Sequence, residues 1–282
     1  MSVCSHNTWC RLGKMGGTCY ERKILTLYQA VKQHEPVQML EDMRNMEIFH
    51  WEECSHQRTY TPSEALMYAI VHDHRDYAQY LLNEFSDGAL ATPGEHACCS
   101  HSSAPHLALA VHYNRKEIMA LILQETSWSN MNRGECKHVD EGRNPLHLAC
   151  ELLHSDAVIL LLASGASPQA ENKDGMTPLD LILKQLQASK ENTRAKMLCL
   201  ERMLMFMTEV RFKMKSSLKN DPEYWSNVLG EETFNYLVGR IPRTLFLLAM
   251  KRTLTQLPSR EFFKSLDELP IPAFLKPLPQ SP

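Results

Sequence analysis

Five histidine and cysteine residues lie close together in one stretch of the chain, and both side chains are common zinc ligands. They are His96, Cys98, Cys99, His101 and His106. Four of them could form a tetrahedral site, but structural zinc sites favour cysteine pairs that are separated by two to four residues. Because Cys98 and Cys99 are adjacent, we interpret the stretch as a thiol-rich loop and predict no metal and no cofactor. A redox or metal-sensing role for this loop is the alternative that the sequence leaves open.

Three other histidines are candidates for acid–base chemistry, because imidazole titrates near neutral pH. His72 and His74 flank Asp73 at a predicted turn between two helices, and His147 lies within a Pro-Leu-His-Leu-Ala sequence. We interpret all three as structural residues that hydrogen-bond to neighbouring backbone. The sequence also contains no glycine-rich phosphate loop, no Gly-x-Ser-x-Gly motif and no His-Glu-x-x-His motif. These observations predict that the protein is not an enzyme.

The composition of the chain further restricts its possible partners and its compartment. The 282 residues are 44% hydrophobic and 22% charged, which is ordinary for a globular protein. The formal net charge of −3 gives no reason to expect nucleic acid or an acidic membrane surface as a partner. No apolar run approaches the roughly 20 residues of a transmembrane helix, and the N-terminus lacks the apolar core of a secretory signal. Nine cysteines without an export signal indicate a reducing compartment, and we predict the cytoplasm, with the nucleus as an alternative.

An internal repeat organises the middle of the chain. The sequence Asn-Pro-Leu-His-Leu-Ala-Cys begins at Asn144, and Thr-Pro-Leu-Asp-Leu-Ile-Leu begins 33 residues later at Thr177. When the leucines at predicted helix ends are registered, earlier copies start near residues 64 and 105, and a weaker copy covers residues 25–43. Each copy predicts a pair of helices. Because such a pair buries only one face alone, neighbouring pairs must stack to complete a core.

This pattern resembles the ankyrin repeat, whose period is about 33 residues and whose signature is Thr-Pro-Leu-His-x-Ala. The resemblance implies an all-α solenoid of four to five helix pairs. It also implies that partners bind on the concave face and at the loop tips, where Trp51 and Trp128 are candidates. The longer steps between the early copies predict insertion loops at residues 86–104 and 125–143.

A different pattern follows the last repeat. Residues 191–210 predict a long amphipathic helix that closes the stack, and residues 221–240 predict two short helices. Leu245–Met250 is a run of six apolar residues, and a helix that is apolar all round must be covered all round. Helical spacing predicts one side with Leu245, Leu248, Ala249 and Arg252, and another with Phe246, Met250, Thr253 and Leu257. We expect one side to pack on its own domain and the other to contact something else.

The C-terminal segment then contains Leu269, Pro270, Ile271 and Pro272. The prolines fix φ and remove two backbone donors, which predicts an extended strap. Residues 243–278 as a whole resemble a SOCS box, the adaptor-binding tail of substrate receptors in cullin–RING ubiquitin ligases. The family motif for elongin C is Thr/Ser/Pro-Leu-x-x-x-Cys, and the family motif for the cullin is Leu-Pro-hydrophobic-Pro.

The resemblance implies binding roles for two groups of residues. Thr244, Leu245 and Leu248 would contact elongin C, together with Ala249, which stands where the family has cysteine and would weaken that contact. Leu269–Pro272 would contact a cullin; the motif favours cullin-5 and leaves cullin-2 open as the alternative. The implied partners are elongin B/C, a cullin with its RING protein, and a client protein that becomes ubiquitinated and degraded. A repeat scaffold whose tail only caps the stack is the alternative.

We therefore predict four segments in the chain. Residues 1–21 are a flexible N-terminal tail, and residues 22–210 form the ankyrin-like stack with its capping helices. Residues 211–240 are linking helices, and residues 241–282 form the SOCS-box-like tail.

Overall fold

The computed structural model describes residues 26–45, 60–91, 104–125, 143–207, 210–242, 244–258, 261–272 and 276. Every regular element within these ranges is a helix, which confirms the predicted all-α class. Several residues that the sequence singles out lie outside the described ranges: Trp51, His96, Cys98, Cys99, His101 and Trp128.

The described part of the chain contains five consecutive helix pairs, the upper number that the repeat predicts. They are α1 (Leu27–Lys32) with α2 (Val37–Asn45), α3 (Pro62–His72) with α4 (Arg75–Phe85), α6 (Ala104–His112) with α7 (Lys116–Glu125), α8 (Pro145–Glu151) with α9 (Ser155–Ala163), and α10 (Pro178–Ala188) with α11 (Thr193–Phe206). A short helix, α5 (Asp87–Leu90), follows the second pair. The chain then continues with α12 (Lys215–Asn220), α13 (Pro222–Leu229), α14 (Glu231–Val238), α15 (Leu245–Leu254) and α16 (Phe262–Glu268).

The helix pairs form two layers. The first helices of successive pairs contact one another in order, so that α1, α3, α6, α8 and α10 make an inner layer. The second helices α2, α4, α7, α9 and α11 make an outer layer in the same way. One continuous apolar core runs between the layers from Leu27 to Leu266. Stacking thus supplies the burial that no single pair has.

Local sequence explains where the inner helices begin. Thr61, Asn144 and Thr177 are N-cap residues whose side-chain oxygens accept the backbone N–H three residues later. A proline follows each of them in the first helical turn, where a missing N–H costs little.

The turns of the first four helix pairs share one conformation. The residue at each turn has a positive φ, between 54° and 60°, at His34, Asp73, Asn114 and Leu153. The next backbone N–H bonds back to the carbonyl of a fully buried alanine, at 2.8 to 3.1 Å, in Ala30, Ala69, Ala110 and Ala149. The backbone carbonyls of these alanines therefore close each turn. Their small side chains also let the paired helices approach closely.

Side chains just after these turns connect neighbouring repeats. His74 Nε2 lies 3.1 Å from the carbonyl oxygen of Glu35, and Arg115 donates from Nη2 to the Val71 carbonyl at 2.8 Å. His154 Nδ1 lies 2.8 Å from the Val111 oxygen. The Val71 and Val111 carbonyls lie in the last turn of the preceding inner helix, where intrahelical donors run out, and the Glu35 carbonyl lies in the turn between α1 and α2.

Candidate partner-docking surface

The helix α15 has a clear start. Thr244 Oγ1 accepts a hydrogen bond from the Leu247 backbone N–H at 3.3 Å, which satisfies one of the free donors at the helix N-terminus. Lys251 and Arg252 lie in the last turn, where positive charge is favourable to the helix dipole. These local signals fix the first turn, and so the position of Leu245.

Within the described ranges, only one side of α15 packs on other helices. Met250 and Leu254 are buried, and the helix contacts α11 of the outer layer. On the opposite side Leu245 is 83% exposed, Leu248 is 46% exposed and Phe246 is 41% exposed. Ala249 and Arg252 are also exposed. We call Leu245, Phe246, Leu248 and Ala249 the open face of α15.

The burial pattern corrects one part of the sequence prediction. Phe246 was expected on the packed side with Met250, but it is exposed. The inward stripe instead contains Leu247, Met250, Leu254 and Leu257, at steps of three, four and three residues. A stripe with this spacing stays on one side of a helix, and it leaves Phe246 on the solvent side.

The second tail helix, α16, extends the tail across the outer layer. Phe262 and Leu266 are buried in the common core. The Phe263 ring centroid lies 5.6 Å from Lys116 Nζ in α7, close enough for a cation–π contact. Nothing in the sequence pattern predicts this contact with the third repeat. The tail therefore packs on the stack over more than its last repeat.

The strap is bent, which corrects the prediction of an extended segment. The Ile271 backbone N–H donates to the Leu269 carbonyl at 2.8 Å, around Pro270. Leu269 and Ile271 are partly buried against the core, whereas Pro270 and Pro272 are exposed. The fixed φ of Pro270 is compatible with such a three-residue turn, and the turn lets both apolar side chains face inward.

Of the candidate histidines, His74 and His147 hydrogen-bond to neighbouring backbone as predicted, whereas Nε2 of His72 is buried without a hydrogen-bond partner among the described residues, which corrects the prediction for that side chain. His147 Nε2 lies 3.1 Å from the Met176 carbonyl oxygen, and its backbone N–H bonds to the Asn144 side chain. His106 is fully buried, and its Nε2 lies 3.2 Å from the Ser63 carbonyl oxygen. Burial lowers the pKa of both imidazoles below the usual value, so both are neutral at pH 7.

Asp180 is a residue that sequence reasoning missed. It stands at the repeat position of His147, is fully buried, and accepts from Thr177 Oγ1 at 2.8 Å. It also accepts the backbone N–H groups of Lys213 at 3.1 Å and of Met214 at 2.7 Å. The His147 side chain donates to a backbone carbonyl, whereas the Asp180 side chain accepts from backbone N–H groups. Asp180 thereby attaches residues 213 and 214, which follow the stack, to α10. The histidine-to-aspartate difference was the available signal.

Other reactive groups are placed for packing. Cys150 and Cys199 are buried free thiols. Burial raises the pKa of Cys199 to about 12 and that of Cys150 well above its usual value, so neither forms a thiolate nucleophile readily. Among the described residues, no three His, Cys, Asp or Glu side chains are grouped to hold a metal ion. In the same ranges, no helix has the length and apolarity that a membrane crossing requires.

Comparison with known proteins agrees with this architecture. A family model for ankyrin repeats in three copies matches residues 106–190. Along most of its length the chain is similar to mouse (Mus musculus) ankyrin repeat domain-containing protein 9, with 37% identity over 284 aligned residues, 89% of this chain and 87% of the mouse protein. A shorter region is 38% identical over 80 residues to the rice (Oryza sativa subsp. japonica) BTB/POZ domain and ankyrin repeat-containing proteins NH5.2 and NH5.1, covering 27% of this chain and 15% of each rice protein.

Proposed function

This chain belongs to the family of ankyrin repeat domain-containing protein 9, and we propose that it is a non-catalytic substrate receptor of a cullin–RING ubiquitin ligase. As an ankyrin-repeat protein it acts by binding other proteins. In the proposal, the repeats hold a client protein in the cytoplasm or nucleus, the open face of α15 binds elongin B/C, and Leu269–Pro272 contact cullin-5, with cullin-2 as the alternative.

One observation carries the proposal. Leu245 occupies the motif position for the elongin C pocket and is 83% exposed in the first turn of α15. Leu248 lies one turn further along the same side, with Ala249 beside it. A large apolar side chain that is fixed by a capped helix and left uncovered has the form of an interface anchor. Lone exposed leucines are common, but this one lies in a cluster of three exposed large apolar residues.

Energetics indicate that α15 does not bind alone. Complete burial of an apolar side chain stabilises a complex by roughly 1.5–3 kcal/mol, so three such residues contribute about 4–9 kcal/mol. Association itself costs an estimated 4–15 kcal/mol. The strap and the neighbouring helices must therefore contribute. Simultaneous attachment of client and ligase would raise the effective concentration of a client lysine near the ubiquitin-charged enzyme.

The test combines Leu245→Asp with Leu269→Ala and Pro270→Ala in the full chain. We expect elongin C and cullin-5 to be lost from the purified complex, while Leu245→Asp alone leaves the thermal unfolding midpoint of the isolated chain the same, because Leu245 is exposed. Met39→Asp is the matched control, because Met39 is 40% exposed on α2, away from the tail. Unchanged co-purification of both partners with the triple variant would contradict the proposal.

The alternative, a scaffold with a capping tail, also has an observation in its favour. Met250, Leu254, Phe262 and Leu266 are buried in the same core as the repeats. Truncation after Arg240 should therefore destabilise the stack under either hypothesis. The distinguishing variant is Leu245→Asp, because a pure cap gives that exposed residue no role and a docking tail requires it.

A further inference from the structure

One histidine at the junction of the first two helix pairs has its proton position fixed by two hydrogen bonds. His74 is the N-cap residue of α4, and its Nδ1 accepts the Tyr77 backbone N–H at 3.3 Å. Its Nε2 lies 3.1 Å from the Glu35 carbonyl oxygen in the first pair. Because a backbone N–H only donates and a carbonyl only accepts, Nδ1 has no proton and Nε2 carries one. His74 is therefore neutral in this structure, and a second proton, on Nδ1, would break the N-cap bond.

A second imidazole lies parallel to this one. The rings of His34 and His74 are stacked, with centroids 4.7 Å apart and 12° between their planes. His34 lies in the turn between α1 and α2, and its Nε2 donates to the His72 carbonyl at 2.9 Å. Protonation of both rings would place two positive charges face to face across the junction. Since His34 is exposed, water screens part of that repulsion, and loss of the cap bond of the buried His74 is the larger effect.

The other charged groups around the two rings come from every element of the junction. They are Lys32 of α1, Glu35 of the first turn, Glu41 and Arg44 of α2, Asp73 and Asp76 at the second turn, and Arg115 at the start of α7. Glu41 pairs with Arg44 at 2.8 Å, and Asp73 pairs with Arg115 at 3.5 Å. Burial lowers the pKa of the neighbouring His72, and positive charge on Lys32, His34 and Arg115 lowers it further. Additional positive charge is thus unfavourable at His72.

The equivalent side chains of the next two repeats bond differently. Arg115 and His154, like His74, come one residue after the positive-φ residue of their turn. Arg115 donates to the Val71 carbonyl, and His154 Nδ1 lies 2.8 Å from the Val111 oxygen. His154 is the N-cap residue of α9, but within the described ranges its side chain makes no cap bond. Both side chains act only as donors, so a positive charge preserves their bonds. His74 is different because it is also an acceptor.

We infer that His74 is a proton-sensitive switch, and that its protonation releases the first helix pair, α1 and α2, from the repeat stack. Outside their own pair, α1 and α2 mainly contact α3 and α4, so this junction is their principal attachment. Each repeat of a solenoid is stabilised by its interfaces with its neighbours. Release would uncover Leu27, Val31 and Leu40, which are buried in the stacked form.

Position in the stack distinguishes His74 from His147, which has a similar pair of bonds. His147 Nδ1 accepts the Asn144 backbone N–H at 3.3 Å, and its Nε2 lies 3.1 Å from the Met176 oxygen. Its helix, α8, however, contacts both α6 and α10. Protonation there weakens a repeat that is held on two sides, whereas protonation of His74 affects the main attachment of a pair.

The test is hydrogen exchange of the full chain at pH 7.5 and pH 5.5, on either side of the ordinary imidazole pKa of about 6.5. After correction for intrinsic rates, amides of α1 and α2 should lose about tenfold protection or more at the lower pH, and more than those of α9. In His74→Gln this difference between the two pH values should disappear, because glutamine keeps a donor and an acceptor but does not titrate. His154→Gln is the matched control and should behave as the wild type at α1 and α2.

Three results would overturn the inference. An equal loss of protection in α1, α2 and α9 would show a general loss of stability in place of local release. A wild-type dependence on pH in His74→Gln would assign the effect to other groups. Imidazole ¹⁵N chemical shifts at pH 7.5 that show a proton on His74 Nδ1 would remove the acceptor on which the switch depends. None of these measurements needs a client or a ligase, so they leave the proposed function untouched.

Discussion

The helices α9 and α15 both contain a run of at least six apolar residues but have opposite surroundings. In α9 every residue of the run 157–162 is at most 2% exposed, because the helix packs against α7, α8 and α11. In α15 only Met250 of the run 245–250 is buried, and the main neighbouring helix is α11. Similar sequences thus differ in the number of neighbours. A helix of the stack is completed by other repeats, whereas the tail helix keeps Leu245, Phe246 and Leu248 exposed.

The largest expected effect contrasts the two runs directly. Leu160→Ala in α9 should destabilise the protein by about 2–5 kcal/mol, because the side chain is fully buried and leaves a cavity. Leu245→Ala in α15 should change the free energy of unfolding by less than about 0.5 kcal/mol. Urea denaturation of both variants measures the difference. Equal losses would mean that Leu245 belongs to the core, and the comparison would fail.

A second prediction concerns α11, the helix on which both α9 and α15 pack. Arg202 is fully buried, and its Nη1 lies 2.7 Å from Asp156 Oδ1 in α9. Its Nε and Nη2 are buried without a hydrogen-bond partner in the described structure. Asp156→Ala should therefore cost about 2–4 kcal/mol, since it leaves a buried charge uncompensated.

The double variant Asp156→Ala, Arg202→Met is the control for that cost. It removes both charges and should recover most of the lost stability, because the apolar methionine needs no partner. Urea denaturation of the single and double variants gives the coupling between the two residues. A double variant as unstable as the single one would show that packing, and not the uncompensated charge, causes the loss.

The third prediction uses pH to distinguish the stability of the repeat stack from that of the tail. Burial lowers the pKa of His106 and His147 in the folded state, so the unfolded chain binds more protons just below the usual histidine pKa of about 6.5. Their contribution to stability is present above that pH and is lost as the pH falls through the folded-state pKa. The stack should therefore become less stable as the pH falls below about 6.5.

Hydrogen exchange across this pH range gives the measurement. Amides of α6 and α8 should lose protection as the pH falls, after correction for intrinsic exchange rates. The double variant His106→Gln, His147→Gln should show a flatter dependence on pH, even if it is less stable throughout. An unchanged slope in that variant would assign the pH effect to other groups.

A structural feature of this protein could be predicted from the sequence when it recurs in several repeats. Asn144 and Thr177 carry the period, and the period predicts the stacked helix pairs that the structure confirms. Contacts that occur once were not predictable. The sequence shows that Asp180 replaces histidine at the repeat position of His147. It does not show the partners of Asp180, because Lys213 and Met214 are 33 and 34 residues away. The contact of Phe263 with Lys116 links residues still further apart in the chain.

The open face of α15 also shows what the sequence pattern can and cannot predict. Periodicity predicts that Leu245 and Met250 lie on different sides of the helix, and they do. It does not predict whether Phe246 is covered, because that depends on how α15 packs on α11. Likewise, the prolines of the strap restrict φ, but the choice between an extended and a bent path depends on burial of Leu269 and Ile271.

The smallest expected effect is the sharpest test of what α15 is for. Ala249 is exposed and stands where the SOCS-box motif has cysteine, so Ala249→Cys adds one atom to the open face without touching the core. Stability should be unchanged within about 0.5 kcal/mol. If the face enters an elongin C pocket, burial of the extra atom should tighten binding by about 0.8 kcal/mol, roughly fourfold. Calorimetry with purified elongin B/C measures this, with Arg252→Gln as a neighbouring exposed control. An unchanged affinity would mean that position 249 lies outside the interface, and only the exposed leucines would then support adaptor binding.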